Sequence, residues 1–193
     1  MSFYIMVDNE CENELGEALF EIHNCFEVGD IMSWSGGGVI TEKITSPIRI
    51  DFEPLKGDAG PNLDVWDDCI PLMSIRLGSA LQDSGIDNLQ LFPAILRNTK
   101  TNKSYDYYAF NIVGLISATE FRKSSIESYD GSFKVDSTIF SLTVDEMKAK
   151  NFLLFRLAEN INAILVHQTV RDHVISKGIP KEIFIRPEEW AQI

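Results

Sequence analysis

Apolar and polar positions along the chain follow two periods. Ile48-Arg49-Ile50-Asp51-Phe52 alternates strictly and predicts a strand with one buried face. Phe3 to Val7 is a short apolar run and predicts an opening strand. Leu89–Arg97 and Lys103–Phe110, joined by Asn98-Thr99-Lys100-Thr101-Asn102, read as a hairpin. Pro93 marks an edge or a bulge in its first strand, because proline cannot donate to a ladder. In the second strand Tyr105 and Tyr107 face one side, and Tyr108 and Phe110 the other. Ile112–Ser117, Phe133–Leu142, Phe152–Leu157, Ala163–Val166 and Glu182–Arg186 extend the strand-rich region.

Helical spacing appears in fewer places. Ile75 to Ser84 is bounded by Ser74, an N-cap candidate, and by Gly85, which suits a left-handed C-cap; Pro71 is the alternative first helical residue. Leu77 and Leu81 face inward there, and Gly78 permits close packing. Val170, Val174 and Ile175 predict a second helix between Val166 and Gly178. Leu15, Leu19, Ile22 and Phe26 suggest a short helix, weakened by Gly16 and Asn24. Pro187 to Trp190 reads as a last helical turn. The expected fold is α+β. A mainly antiparallel sheet spans residues 89–186, covered by helices at Ser74–Ser84 and His167–Lys177. The expected division is a domain over 70–193 and a smaller, acidic, loop-rich lobe over 1–69.

Charge changes this picture more than composition does. With 193 residues, 45% apolar and 24% charged, the usage is ordinary globular. No run reaches eighteen apolar residues, and no basic residue precedes the apolar opening, so a cytoplasmic protein is expected. The net charge is −12, yet residues 1–42 hold nine acids and no base. The first 89 residues carry −13 and the remainder +1. Such a field steers basic partners and disfavours nucleic acid; alternatively, it only keeps the protein soluble. No membrane partner is expected, and a homo-oligomer is left open.

Candidate chemistry is sparse. His167 and His173 lie six apart, off the spacing of paired helical ligands, and His23 stands alone. Cys11, Cys25 and Cys69 form no C-x-x-C, so neither a disulfide framework nor a metal or other cofactor is expected. Ser33-Trp34-Ser35-Gly36-Gly37-Gly38 ends neither as a phosphate loop nor as a nucleophile elbow. It reads as a flexible loop carrying Trp34, or as a recognition loop anchored by it. Asp64, Asp67 and Asp68 cluster around Trp66, as an acidic binding patch or as a solvated loop over a core tryptophan. The candidate partner-binding set is therefore Trp34, Asp64, Trp66, Asp67 and Asp68. An unrecognised hydrolase would rest on Asp67, Asp68 or His167. No catalytic residues are expected.

Four stretches carry a family resemblance. The first is Pro71-Leu72-Met73-Ser74-Ile75-Arg76-Leu77 with Leu81, followed by Asn88-Leu89-Gln90-Leu91-Phe92-Pro93. The others are Tyr107-Tyr108-Ala109-Phe110-Asn111-Ile112-Val113, then Leu154-Phe155-Arg156-Leu157, then Gly178-Ile179 through Pro187-Glu188-Glu189-Trp190. Together, over about residues 70–190, they resemble the bacterial immunity proteins that accompany polymorphic toxins and effectors of contact-dependent or type VI secretion. The resemblance implies an antidote that binds a cognate toxin and blocks it. It offers core positions (Leu77, Leu81, Phe92, Phe155) and no catalytic ones. An adaptor or chaperone for a secreted effector is the alternative.

Overall fold

The computed structural model describes residues 2–8, 20–23, 34–55, 61, 63–67, 70–127 and 138–191. Among these residues, thirteen strands and three α-helices form an α+β fold of two large sheets and a small one. The six-stranded sheet contains β2 (Phe20–Ile22), β3 (Ile48–Pro54), β4 (Val65–Asp67), β5 (Pro71–Ser74), β6 (Leu89–Asn98) and β7 (Ser104–Ile112), in the order β2-β3-β6-β7-β5-β4. The five-stranded sheet contains β1 (Phe3–Met6), β8 (Leu115–Ile116), β11 (Leu154–Leu157), β12 (Asn160–His167) and β13 (Phe184–Ile185), in the order β13-β1-β12-β11-β8. β9 (Ser125–Ile126) pairs with β10 (Ile139–Ser141). Among the described residues only β3–β6 and β8–β11 pair in parallel.

Alternation fixes which face of each strand is covered. Ile48, Ile50 and Phe52 are buried while Arg49 is exposed, as their period demands. In β7, Tyr105, Tyr107 and Ala109 join a cluster with Trp34, Trp66 and Phe52 on one face; Tyr108, Phe110 and Ile112 join the core between the sheets. Pro93 faces Tyr108 of β7, and β3 begins to pair only at Ala94, so the first half of β6 has the open side expected of an edge. Helices α1 (Ile75–Asp83) and α3 (Gln168–Ser176) contribute Leu77, Leu81, Val170 and Val174 to the central core. A third cluster on the far face of the five-stranded sheet gathers Phe3, Ile5, Phe155, Leu165 and Trp190, with Ala149 from α2 (Glu146–Ala149).

The caps behave as their chemistry dictates. Ser74 Oγ accepts from Leu77 N at 3.2 Å at the start of α1, and Gly85 follows its end with φ +87°. His167 caps α3, its Nδ1 accepting from Thr169 N at 3.3 Å. A Cβ on Gly78 would lie 2.8 Å from the Tyr108 ring and 3.2 Å from Leu91, so only hydrogen fits between α1 and the sheet.

Two local expectations fail for physical reasons. Residues 20–22, placed in a short helix, are strand β2, paired with β3 so that the Phe20 ring packs 6.0 Å from Phe52; the rest of that helix lies outside the described residues. The triple-glycine loop is anchored. Asn111 Nδ2 donates to Gly38 O at 2.7 Å, Gln90 bonds both backbone groups of Ile40, and Gly114 N donates to Gly37 O at 2.8 Å. Gly37 serves close approach there: a Cβ would stand 2.7 Å from Leu115 Cγ.

The boundary expected at residue 69 does not coincide with a break between sheets. β1 lies between β12 and β13, and β2, β3 and β4 share a sheet with β5, β6 and β7. The reason lies in β1 itself: Tyr4 and Met6 feed one core, Phe3 and Ile5 another. A strand buried on both faces belongs inside a sheet. Gly78→Val should cost about 1–3 kcal/mol, the range for overpacking a filled core, read as a lowered urea midpoint with an unchanged slope.

Candidate functional site

Three of the sequence-derived candidates, Asp64, Trp66 and Asp67, lie on or beside β4, at the edge where it approaches the five-stranded sheet. β4 pairs with β5, Trp66 opposite Leu72. Val65 therefore faces the central core, Trp66 the opposite cluster, and Asp67 again the core side. Across the core β11 presents Leu154 and Arg156 on one face, with Phe155 and Leu157 on the other. Arg156 has no exposed surface. Its Nη1 donates to Asp67 Oδ2 at 2.8 Å and its Nη2 to Oδ1 at 3.0 Å, a bidentate pair between the sheets. Nη1 also donates to Ile161 O at 2.6 Å, and the guanidinium lies 5.8 Å from the Phe110 ring centroid. Asp67 N donates to Asp8 Oδ1 at 3.1 Å, which ties β4 to the end of β1.

Asp64 is 1% exposed and equally committed. Its Oδ1 accepts from Ser74 Oγ at 2.6 Å and from Arg76 Nε at 2.8 Å, at the N-terminus of α1 where the helix dipole favours negative charge. The hydrogen bond to Asp64 holds the Arg76 guanidinium still more firmly protonated than usual. Tyr107 closes the same corner: its hydroxyl reaches Pro61 O at 2.7 Å and Leu63 O at 3.0 Å, and burial pushes the phenol up to about 12.

Trp34 and Trp66 are both 6% exposed. The Trp34 ring stands 5.4 Å from Phe92, edge to face, and Trp66 lies 5.4 Å from Phe20. Asp68 lies outside the described residues. The structure thus brings Asp64, Trp66 and Asp67 together on one short strand and its approach, as parts of the framework, and leaves Trp34 on the same sheet face as Trp66. Beside Asp67, a hollow of about 280 Å³ is lined by Met6, Asp8, Asn162 and Trp190. Sequence reasoning missed Arg156 as a partner. The available signal was a lone arginine inside an apolar strand, since a fully buried charge needs a buried counter-charge.

The charge asymmetry is partly consumed by the fold. Asp51 pairs with Arg97, Glu53 with Lys100, Asp67 with Arg156 and Asp83 with Lys177, each an acid of the first half against a base of the second. The hydrogen bond from Arg97 holds the Asp51 carboxyl below its ordinary range. Segments 9–19 and 24–33, outside the described residues, hold six further acids and no base.

The histidines serve local roles: His23 lies 3.7 Å from Glu53, and His167 caps α3. Among the described residues no three His, Cys, Asp or Glu side chains meet as a metal-binding group. The three cysteines lie outside those residues. No helix among them is long and apolar enough to cross a membrane.

The model of an immunity protein family, Imm11, matches residues 6–182. The chain belongs to that family. The Imm11 match starts at the last residue of β1 and takes in β2 to β12, further toward the N-terminus than the motifs at 70–190 reach. Those motifs fall on the framework: Leu77, Leu81 and Phe155 are fully buried, and Asn88 Nδ2 donates to Val113 O and Leu154 O, bridging the two sheets. No curated protein matches the chain.

Asp67→Asn should cost about 3–5 kcal/mol in urea unfolding, because it leaves a fully buried guanidinium without its counter-charge. Arg156→Met combined with Asp67→Leu should cost less than either change alone. Tyr107 gives a pH signature. Its native phenol titrates above the ordinary value of about 10, so its contribution is complete below that pH and is lost as pH rises through about 12. Tyr107→Phe should remove that part of the alkaline slope, measured from urea midpoints between the two pH values.

Proposed function

We propose that this Imm11 protein neutralises a cognate toxin domain by binding it in the cytoplasm, with no chemistry of its own. The match over residues 6–182 carries the reading, since it spans both sheets and reports an immunity family. The net charge of −12 supports a toxin with a basic surface: an acidic inhibitor associates quickly with such a partner, and salt slows it. Nucleic acid is disfavoured by the same charge.

Within this reading Trp34, Asp64, Trp66 and Asp67 support the interface from beneath. Their burial and internal pairing favour that role over direct contact. Asp68 remains a candidate contact on sequence grounds.

Co-expression tests the proposal. Cells producing the toxin encoded beside this chain's gene should survive when the protein is present and die when it is absent. Equal killing in both cases overturns neutralisation. Stable co-purification without protection would instead favour an adaptor or chaperone.

A further inference from the structure

We propose that the open side of β6 at Leu89–Pro93 is a docking edge, joined by an extended segment of the toxin as an added strand; this deepens the neutralisation reading and rests on it. Backbone bonds from Val113 N to Asn88 O and from Asn98 N to Lys103 O, both 2.8 Å, close the β6–β7 ladder at its two ends. Alternation between them turns the N–H and C=O of Gln90, Phe92, Ala94 and Leu96 toward β7, and those of Leu89 and Leu91 away from it. From Ala94 onward that far side is taken by β3. Before Ala94 the N–H and C=O of Leu89 and Leu91 meet no hydrogen-bonding partner among the described residues. Residues 41–46, the stretch leading into β3, make no hydrogen bond to this edge. Pro93 has the same parity as Leu89 and Leu91, so its missing N–H breaks no bond to β7.

Burial supports the open side independently. Leu89, Gln90, Leu91 and Phe92 are all half-buried and Pro93 is exposed, although their side chains alternate between two faces. From Ala94 to Asn98, where β3 runs alongside, every second residue is buried. Exposure that ignores parity marks an open edge, not an open face. Native edge strands are ordinarily shielded by charge or proline. Asn88–Pro93 holds no charged residue, and Pro93 guards one end of it. Both faces of this edge are backed by packing. Leu91 lies against α1, where a Cβ on Gly78 would come within 3.2 Å of its Cδ1, and the Trp34 ring stands edge to face on Phe92 at 5.4 Å. A strand ordered beforehand loses less entropy when another joins it. Outward N–H and C=O groups on an extended backbone select an extended partner, because a strand meets them in register. A second copy of the chain is a poor occupant, because two molecules of charge −12 repel.

The test uses the full chain and an inactivated form of the toxin domain encoded beside its gene. On binding, amide hydrogen exchange should slow about tenfold at Leu89 and Leu91, while Gln90 and Phe92, already bonded to β7, exchange slowly in the free protein. Leu91→Pro removes the outward N–H and leaves the bonds to β7, as Pro93 already does; Leu91→Ala removes the side chain and keeps the N–H. Leu91→Pro should weaken binding about tenfold more than Leu91→Ala, the loss of one interface hydrogen bond whose acceptor is left unmet. If Leu91→Pro does not fold, the exchange measurement on the unaltered chain decides alone. Unchanged exchange at Leu89 and Leu91 in the complex, or equal losses in the two variants, overturns the edge while neutralisation stands. Concentration-dependent protection of these two amides without toxin assigns the edge to a second copy and overturns the toxin as its occupant. Failure of the unaltered protein to bind the toxin overturns both.

Discussion

The pair between Arg156 and Asp67 constrains the architecture more than any other contact. An arginine with no exposed surface is costly to bury, and the cost falls only if both ends of the guanidinium meet good acceptors. Asp67 and Ile161 O provide them for Nη1 and Nη2, so the edge strand of one sheet must stay within reach of an interior strand of the other. Asp67 in turn holds Asp8 through its own N–H. Three segments far apart in sequence are tied at one point. Apolar packing between the sheets has no direction, whereas this bidentate pair has one. The central core supplies cohesion, and the ion pair supplies the register in which the sheets face each other.

Polar clamps repeat this pattern elsewhere. Asn88 bonds the carbonyls of Val113, just past β7, and of Leu154 on β11, and Gln90 with Asn111 holds residues 38–40 against β6 and β7. Each clamp lies where a loop crosses a sheet end and apolar contact alone would leave the chain free to slide. A protein that acts only by binding gains from such clamps, because a surface ordered beforehand loses less entropy on association.

What was legible in the sequence follows from the range of the physics involved. Caps, alternating strands and the hairpin depend on neighbours within a few residues, and Ser74, Gly85, Ile48–Phe52 and Tyr105–Phe110 were placed correctly. β2 was misread because three residues cannot separate a period of two from a period of 3.6; only its pairing with β3 decides. The glycines at 36–38 looked like freedom, yet Gly37 serves a close approach that depends on Leu115 far along the chain. Of the proposed contact residues, the sequence showed that acids surround Trp66. It did not show that Asp64 and Asp67 would find arginines, one twelve residues away and the other 89.

The same pairings alter what the acidic excess means. A carboxylate locked to a guanidinium presents a dipole to a distant partner, and its field decays faster than that of a free charge. The charges at Asp51, Glu53, Asp67 and Asp83, four of the seventeen acids in residues 1–89, therefore add little to long-range steering. Attraction toward a basic partner has to come from carboxylates that the fold leaves uncompensated.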